Sequence, residues 1–216
     1  FLFEPMNSKL YRKLFSKADL VLVLSEQWRC WIKMALGLSN HIEVLYNPCP
    51  IVNRRDDLRK NHILFAGTII SRKGYETLIR GFARIAQEHS DWKVIFAGNG
   101  EIANAMKIVE CCGIQNQVEF LGWVTDKDKE KVFQEASVYC LASDGEGFPM
   151  GVLDAWAYGI PCVVTPVGGI PDIVVDGENG LVFSIGDVDG LANKLRMIIS
   201  DRTLRKNIVL GQDKYC

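Results

Sequence analysis

The sequence lacks the residue spacings that bind metal ions. None of its 7 cysteines forms a Cys-x-x-Cys pair, since Cys111 and Cys112 are adjacent and the others are isolated. The 3 histidines are far apart in the chain. Zinc sites need closely spaced Cys or His ligands, and disulfide frameworks have regularly spaced cysteines. We therefore expect reduced thiols of a cytosolic protein, and no metal site.

Long apolar runs and an excess of one charge are also absent. No segment reaches the roughly 18 uninterrupted apolar residues of a membrane span, and the first residues lack the layout of a signal peptide. Lys plus Arg (25) nearly balance Asp plus Glu (26). A near-neutral chain has no general electrostatic surface for nucleic acid, so an anion needs a local site. These absences predict a cytoplasmic globular protein without a nucleic-acid partner.

Short apolar segments alternate with amphipathic segments along the chain, which is typical of a parallel sheet with helices on both faces. This alternation predicts a Rossmann-like α/β fold. The predicted strands are residues 19–24, 41–46, 62–66, 93–97, 118–121, 137–142 and 161–165, and the predicted helices begin near residues 25, 75, 101, 127, 149 and 187.

A domain boundary is predicted near residues 53–61, because this segment is highly charged and has no aromatic or β-branched residue. Residues 1–52 would then end one domain, and residues 53–216 would form another. The chain begins with Phe1 rather than Met and stops at Cys216 in a polar, helix-like stretch. We expect both ends to be cuts in a longer protein.

The loops that follow the strands are where function is expected, because ligands of parallel α/β sheets bind beyond the carboxyl ends of the strands. One such loop, residues 67–74, contains the adjacent cations Arg72 and Lys73. A planar guanidinium beside an ammonium suits a diphosphate. Taken alone, the loop fits two solvated cations at a turn equally well.

A second loop, residues 144–149 (DGEGFP), leads into a predicted helix. Pro149 is preorganised for a helix start, where free N–H groups favour an anion. Glu146 can accept hydrogen bonds from sugar hydroxyls. Asp154 follows five residues after Pro149, roughly 7–8 Å along a helix axis. An acidic helix cap without a ligand explains the same residues.

Two further segments have competing interpretations. Residues 166–172 (PVGGIPD) form either a tight loop beside the same edge or, as this pattern alone favours, an ordinary turn. Near the start, basic side chains alternate with apolar ones as in an amphipathic helix. That helix would contact a membrane surface peripherally or pack on the rest of the domain that residues 1–52 end. Its residues are Lys9, Leu10, Arg12, Lys13, Leu14, Phe15 and Lys17.

Ordered motifs between residues 61 and 200 resemble the C-terminal domain of glycosyltransferase family 4. They are AGTIISRKG, VEFLGWV, DGEGFPMGVLDAWAYGIPCVVTPVGGIPDIV and NGLVF. The preceding KADLVLVLSEQW and EVLYNP resemble the end of the family's N-terminal domain and the crossing linker. The resemblance implies a GT-B fold of two facing Rossmann-like domains. It also implies a nucleotide diphospho-sugar donor, transfer with retention of anomeric configuration, and no required metal or cofactor.

The resemblance also implies roles for single residues. Lys73 matches the diphosphate-binding lysine, and Arg72 is the guanidinium left for that role. Glu146 matches the first acid of the Glu-x7-Glu motif, which contacts the donor sugar. These three are the implied catalytic residues. The other implied donor-binding residues are Gly67, Val124 at the base, Gly147, Phe148, Pro149 and Asp154.

Two positions depart from the family pattern. Asp154 stands where the family usually has Glu, so its carboxylate is one methylene short and would reach the ribose through a shifted helix or a water. Thr68 stands where many members have Arg, which leaves more of the phosphate charge to Arg72 and Lys73.

The predicted function is that of a retaining glycosyltransferase in bacterial surface-polysaccharide synthesis, with this chain as the donor-binding part. A carbohydrate or lipid-linked acceptor would bind the N-terminal domain, in the cytoplasm or at the inner face of the membrane. Alone, the chain is expected to bind nucleotide sugars weakly and not to turn over. The alternatives are a nucleotide-sugar epimerase of the same architecture, a non-catalytic binding module and a phosphate-sensing flavodoxin-like domain.

Overall fold

The computed structural model describes residues 8–37 and 41–215, and the expectations for Phe1 and Cys216 lie outside these ranges. The strands are β1 (Val21–Val23), β2 (Ile42–Val44), β3 (His62–Ala66), β4 (Lys93–Ala97), β5 (Val118–Gly122), β6 (Val138–Leu141), β7 (Cys162–Val164) and β8 (Leu181–Val182). The helices are α1 (Ser8–Phe15), α2 (Glu26–Leu36), α3 (Tyr75–Ala83), α4 (Ile102–Cys112), α5 (Asp126–Glu135), α6 (Met150–Ala157), α7 (Ile170–Ile173), α8 (Val188–Ser200) and α9 (Arg202–Gln212).

Strands β3 to β8 form one parallel sheet in the order β5-β4-β3-β6-β7-β8. Three successive residues of β3, Ile63, Leu64 and Phe65, are fully buried. Successive strand residues point to opposite faces, so both faces of the central strand are covered, which explains its apolar run from Ile63 to Phe65. The Rossmann-like prediction is confirmed.

The strand order reverses between β3 and β6, because the chain moves outward to β5 and then returns to pair β6 with β3. Such a reversal opens a crevice beyond the carboxyl ends of the two central strands. The loops that follow β3 and β6 therefore lie side by side, although they are far apart in the chain.

A smaller unit precedes this sheet. Strands β1 and β2 pair in parallel, and Val23, Ile32 and Ile42 form its buried cluster. Helix α2 begins where the Ser25 side chain accepts a hydrogen bond from the Trp28 backbone N–H, and it ends before a left-handed glycine. These are the start and stop that the sequence predicts.

The smaller unit contacts the large sheet domain near the crevice. A carboxylate oxygen of Asp172 accepts a hydrogen bond from the Glu26 backbone N–H at 2.7 Å. The rings of Tyr46 and Phe148 lie 5.5 Å apart between centroids. The two units therefore meet through the loops that follow β6 and β7.

The charged segment at the predicted boundary is docked on the sheet domain. The Arg54 guanidinium donates to the backbone oxygens of Trp156 and Ala157 at the end of α6, at 3.0 and 2.8 Å. The Arg59 guanidinium donates to the backbone oxygens of Phe133 and Ala136, at 2.9 and 2.8 Å. The arginines therefore donate to carbonyls at helix ends, where fewer intrahelical partners are available. The division at residue 53 stays a prediction.

The cysteines correct one expectation. Cys49 is disulfide-bonded. The expectation of reduced thiols fails for this residue because cysteines that are isolated in sequence can still meet in space. Burial raises the pKa of the Cys140 and Cys162 thiols far above the ordinary value, so they act as inert core residues. The cysteines found as free thiols are Cys30, Cys111, Cys112, Cys140 and Cys162.

Candidate functional site

A cavity of about 490 Å³ lies at the carboxyl-end edge of the large sheet. It collects residues from the ends of β3, β4, β5 and β6 and from the start of α6. Arg72 and Gly147 belong to the loops at its rim and do not line it. The predicted site residues that line it are Gly67, Lys73, Val124, Glu146, Phe148, Pro149 and Asp154.

The loop after β3 is pressed against the end of β6. Gly74 has a φ of 68°, and a Cβ atom there would lie 1.9 Å from the Ala142 carbonyl oxygen. Only glycine fits this approach without displacing backbone. The Asp144 N–H also donates to the Arg72 carbonyl oxygen at 2.8 Å. These contacts hold Arg72 and Lys73 beside the loop that contains Glu146.

Glu146 is the centre of a buried polar cluster. Its Oε1 accepts hydrogen bonds from Lys73 Nζ and from Ser143 Oγ, each at 2.6 Å. Its Oε2 lies 3.8 Å from Arg72 Nη1, and Arg72 also donates to the Gly145 carbonyl oxygen. The Glu146 side chain is only 6% exposed. The sequence predicts separate contacts of Lys73 and Glu146 with a donor, whereas here the two contact each other.

The loop after β7 supports the Glu146 loop from behind. Gly168 has a φ of 59°, and a Cβ atom there would lie 2.2 Å from the Glu146 carbonyl oxygen. The Gly169 N–H donates to the Gly147 carbonyl oxygen at 2.8 Å, and buried Thr165 donates to the Ser143 carbonyl oxygen at 2.6 Å. The PVGGIPD segment, whose pattern alone favours an ordinary turn, therefore positions Glu146.

The start of α6 faces the cavity. Pro149 precedes the first helical residue, Met150, with a φ of −77° that suits a helix start. Gly151 allows α6 to approach β6, because a Cβ atom there would lie 2.1 Å from the Tyr139 hydroxyl oxygen. Burial raises the pKa of Tyr139 well above its ordinary value, so this hydroxyl is neutral. The free N–H groups at this helix start are available to an anion.

The cavity also contains a second ion pair, between α5 and α6. Asp154 Oδ2 on α6 lies 2.8 Å from Lys129 Nζ on α5. The side chains of Lys129 and Asp154 are 44% and 17% exposed. Sequence reasoning missed Lys129, and also Ser143 and the exposed Trp123, which lines the same cavity. No sequence pattern links Lys129 to Asp154, because they lie on different helices.

Across residues 8–37 and 41–215, no group of three or more His, Cys, Asp or Glu side chains is placed to hold a metal ion. In the same ranges, no helix has the length and apolar character needed to cross a membrane.

Curated proteins similar to this chain include a bacterial glycosyltransferase and a bacterial synthase. The lipopolysaccharide core biosynthesis glycosyltransferase LpsE of Rhizobium meliloti is 32% identical over 68% of this chain and 42% of its own length. The N-acetyl-alpha-D-glucosaminyl L-malate synthase of Bacillus anthracis is 30% identical over 63% of this chain and 35% of its own length. The chain therefore spans less than half of either relative.

Solved structures share the fold. HepE of Anabaena, determined in complex with UDP, superposes with a TM-score of 0.86 at 20% identity, over 99% of this chain and 63% of HepE. The C-terminal domain of the group 1 glycosyl transferase LpcC from Francisella tularensis has a TM-score of 0.65 at 27% identity, over 70% of this chain and 82% of that domain. Residues 52–211 match the family of glycosyl transferases group 1, and the chain belongs to that family.

Proposed function

We propose that this chain is the donor-binding part of a retaining glycosyltransferase that moves a sugar from a nucleotide diphospho-sugar to an acceptor hydroxyl. The observation that carries the proposal is the single cavity shared by Lys73, Glu146, the start of α6 and Asp154. One elongated ligand can touch all four. The presence of UDP in the HepE structure supports a nucleotide as that ligand.

The proposed chemistry is electrostatic. As the bond between sugar and phosphate breaks, negative charge develops on the leaving diphosphate, and Lys73, Arg72 and the N–H groups at the start of α6 stabilise it. The acceptor hydroxyl attacks from the same face, and the leaving phosphate takes its proton. No metal or other cofactor takes part in this proposal.

Donor binding must rearrange the pair between Lys73 and Glu146. Both carboxylate and diphosphate attract the Lys73 ammonium, which is 20% exposed and so can turn toward the cavity. Glu146 keeps the hydrogen bond from Ser143, and its freed lone pairs can accept hydrogen bonds from the sugar hydroxyls. The pair thus holds both side chains ready while no donor is bound.

The acceptor is proposed to be a carbohydrate or a lipid-linked sugar bound mainly by the N-terminal domain, in cytoplasmic polysaccharide synthesis. In α1, Tyr11 and Phe15 pack against the buried cluster of the smaller unit, whereas Leu10 and Leu14 are each 54% exposed. We propose that this exposed face packs on the rest of the acceptor domain rather than on a membrane. The relative LpsE is named a glycosyltransferase, which favours transfer over epimerisation.

Calorimetry of this chain with UDP, GDP and their sugar conjugates tests the proposal. At hundredfold excess over its dissociation constant, a ligand that binds only the folded state should stabilise it by about 2.7 kcal/mol. Glu146→Gln should reduce this response, and Arg202→Gln on α9 should not. If none of these ligands binds the folded chain, the donor-site proposal is wrong. Turnover by the isolated chain would contradict the requirement for an acceptor domain.

A further inference from the structure

Lys129 adds a second cation to the lining of the cavity that contains Lys73. Its Nζ lies 2.8 Å from Asp154 Oδ2 and 5.6 Å from the centroid of the Phe133 ring. The ammonium has three donor hydrogens, and the ion pair uses one of them. The other two remain for a ligand, because Lys129 is 44% exposed and lines the cavity.

Asp154 complements this donor with an acceptor. Lys129 engages its Oδ2, and among the described residues no other side chain or backbone group bonds to the Asp154 carboxylate. Its Oδ1 can therefore accept a hydrogen bond from a ligand. An acceptor oxygen next to a donor ammonium matches two adjacent hydroxyls, since one hydroxyl donates to the carboxylate while the oxygen of the other accepts from the ammonium.

We propose that Lys129 is a positioning and specificity residue for the donor ribose: its ammonium donates to the 2′-hydroxyl oxygen, while Asp154, whose ribose contact the family resemblance already implies, accepts from the 3′-hydroxyl. This inference rests on the proposed function. It also explains how a short aspartate can serve at this position. The long Lys129 side chain reaches in from α5 on the other wall, so the diol is held from two sides instead of by one longer carboxylate.

A consequence is discrimination between ribose and 2′-deoxyribose. A site that hydrogen-bonds a hydroxyl disfavours the analogue that lacks it, because a polar group of the site is then left without its partner. At a partly exposed ion pair, the loss of one such hydrogen bond corresponds to about a tenfold change in affinity. UDP should therefore bind about tenfold more tightly than 2′-deoxy-UDP.

The test is a calorimetric comparison of UDP and 2′-deoxy-UDP with the wild-type chain and with Lys129→Met, which keeps the length of the side chain but not its donors. We expect Lys129→Met to weaken UDP binding about tenfold, to leave 2′-deoxy-UDP binding nearly unchanged, and so to abolish the preference. The matched control is Lys131→Met, on the same helix but outside this cavity, which should retain the preference.

The outcomes separate this inference from the proposed function. If Lys129→Met weakens both ligands equally, Lys129 acts only as a general charge, and the inference is wrong. It is also wrong if the variant changes neither affinity, or if the wild type does not distinguish the two ligands. If the folded wild type does not bind UDP, the same comparison is made with GDP and 2′-deoxy-GDP. If it binds neither UDP nor GDP, the nucleotide-donor function itself fails.

Discussion

The cavity lining contains two ion pairs of similar length in different surroundings. Lys73 and Glu146 are separated by 2.6 Å and are 20% and 6% exposed. Lys129 and Asp154 are separated by 2.8 Å and are 44% and 17% exposed. Only Glu146 has a further hydrogen-bond partner in Ser143. Distance alone therefore does not rank the pairs, because burial and additional partners decide what an ion pair contributes.

This difference predicts that the pair of Lys73 and Glu146 is rigid and that the pair of Lys129 and Asp154 adapts to its ligand. Removing one member of a buried pair leaves a charge without its partner and destabilises the fold. Removing one member of an exposed pair costs little, because water solvates the charge that remains. Variants of the two ion pairs should therefore differ in experiments that measure stability and binding in parallel.

The largest effect is expected from Lys73→Met. It leaves Glu146 buried with only Ser143 and the more distant Arg72, so the free energy of unfolding should fall by about 2 kcal/mol. In the complete two-domain protein, loss of this cation should lower kcat by about 10²–10³. Urea unfolding and steady-state kinetics measure the two effects. Arg80→Met, which breaks an exposed pair with Glu76, is the control and should change neither appreciably.

Gly168→Ala should be next in size. The added methyl group would lie 2.2 Å from the Glu146 carbonyl oxygen, so the Glu146 loop must move. We expect a loss of stability of about 1–3 kcal/mol and clearly weaker nucleotide binding. The matched control is Gly177→Ala, where φ is also positive at 81° but no atom lies within 4 Å of the added Cβ. Equal loss of binding in both variants would contradict the positioning role of Gly168.

Asp154→Asn should separate binding from stability. Its partner Lys129 is exposed enough for water to replace the lost charge, so the free energy of unfolding should change by less than about 1 kcal/mol. UDP affinity should nevertheless fall about tenfold, because the acceptor for a ribose hydroxyl is weakened. Asp176→Asn removes the charge from a pair with Lys194 outside the cavity. This control should leave UDP affinity unchanged, and an equal decrease in both variants would sink the prediction.

Ser143→Ala should have the smallest effect. It removes one hydrogen bond to Glu146 but leaves the Lys73 pair intact, so stability should fall by about 1 kcal/mol and nucleotide affinity by a few-fold. Differential scanning calorimetry with and without UDP measures both. Ser137→Ala, which removes a bond from an exposed serine to the Lys60 carbonyl oxygen, is the control for loss of a hydroxyl. A larger effect than that of Lys73→Met would reverse the proposed ranking.

Much of the fold is predictable from local sequence. The bounds of β3 and β4 match the predicted ranges 62–66 and 93–97, because a buried parallel strand needs a short, uninterrupted apolar run. The sequence does not predict α7 or β8, because α7 has 4 residues and β8 only 2. So few residues show no periodicity, and packing against the rest of the sheet stabilises them instead. Helix α9 falls in the polar, helix-like stretch before Cys216, so the sequence indicates its helical character but not where it begins.

The sequence by itself determined the alternation of strands and helices and the loops in which Arg72, Lys73 and Glu146 occur. Local patterns suffice for this, because hydrophobic periodicity and turn residues act over a few neighbouring positions. Only the tertiary structure decided which of these residues meet. Lys73 and Glu146 are 73 positions apart, and Lys129 and Asp154 are 25 apart. Each pair forms because strand order and helix packing bring distant segments to one edge of the sheet.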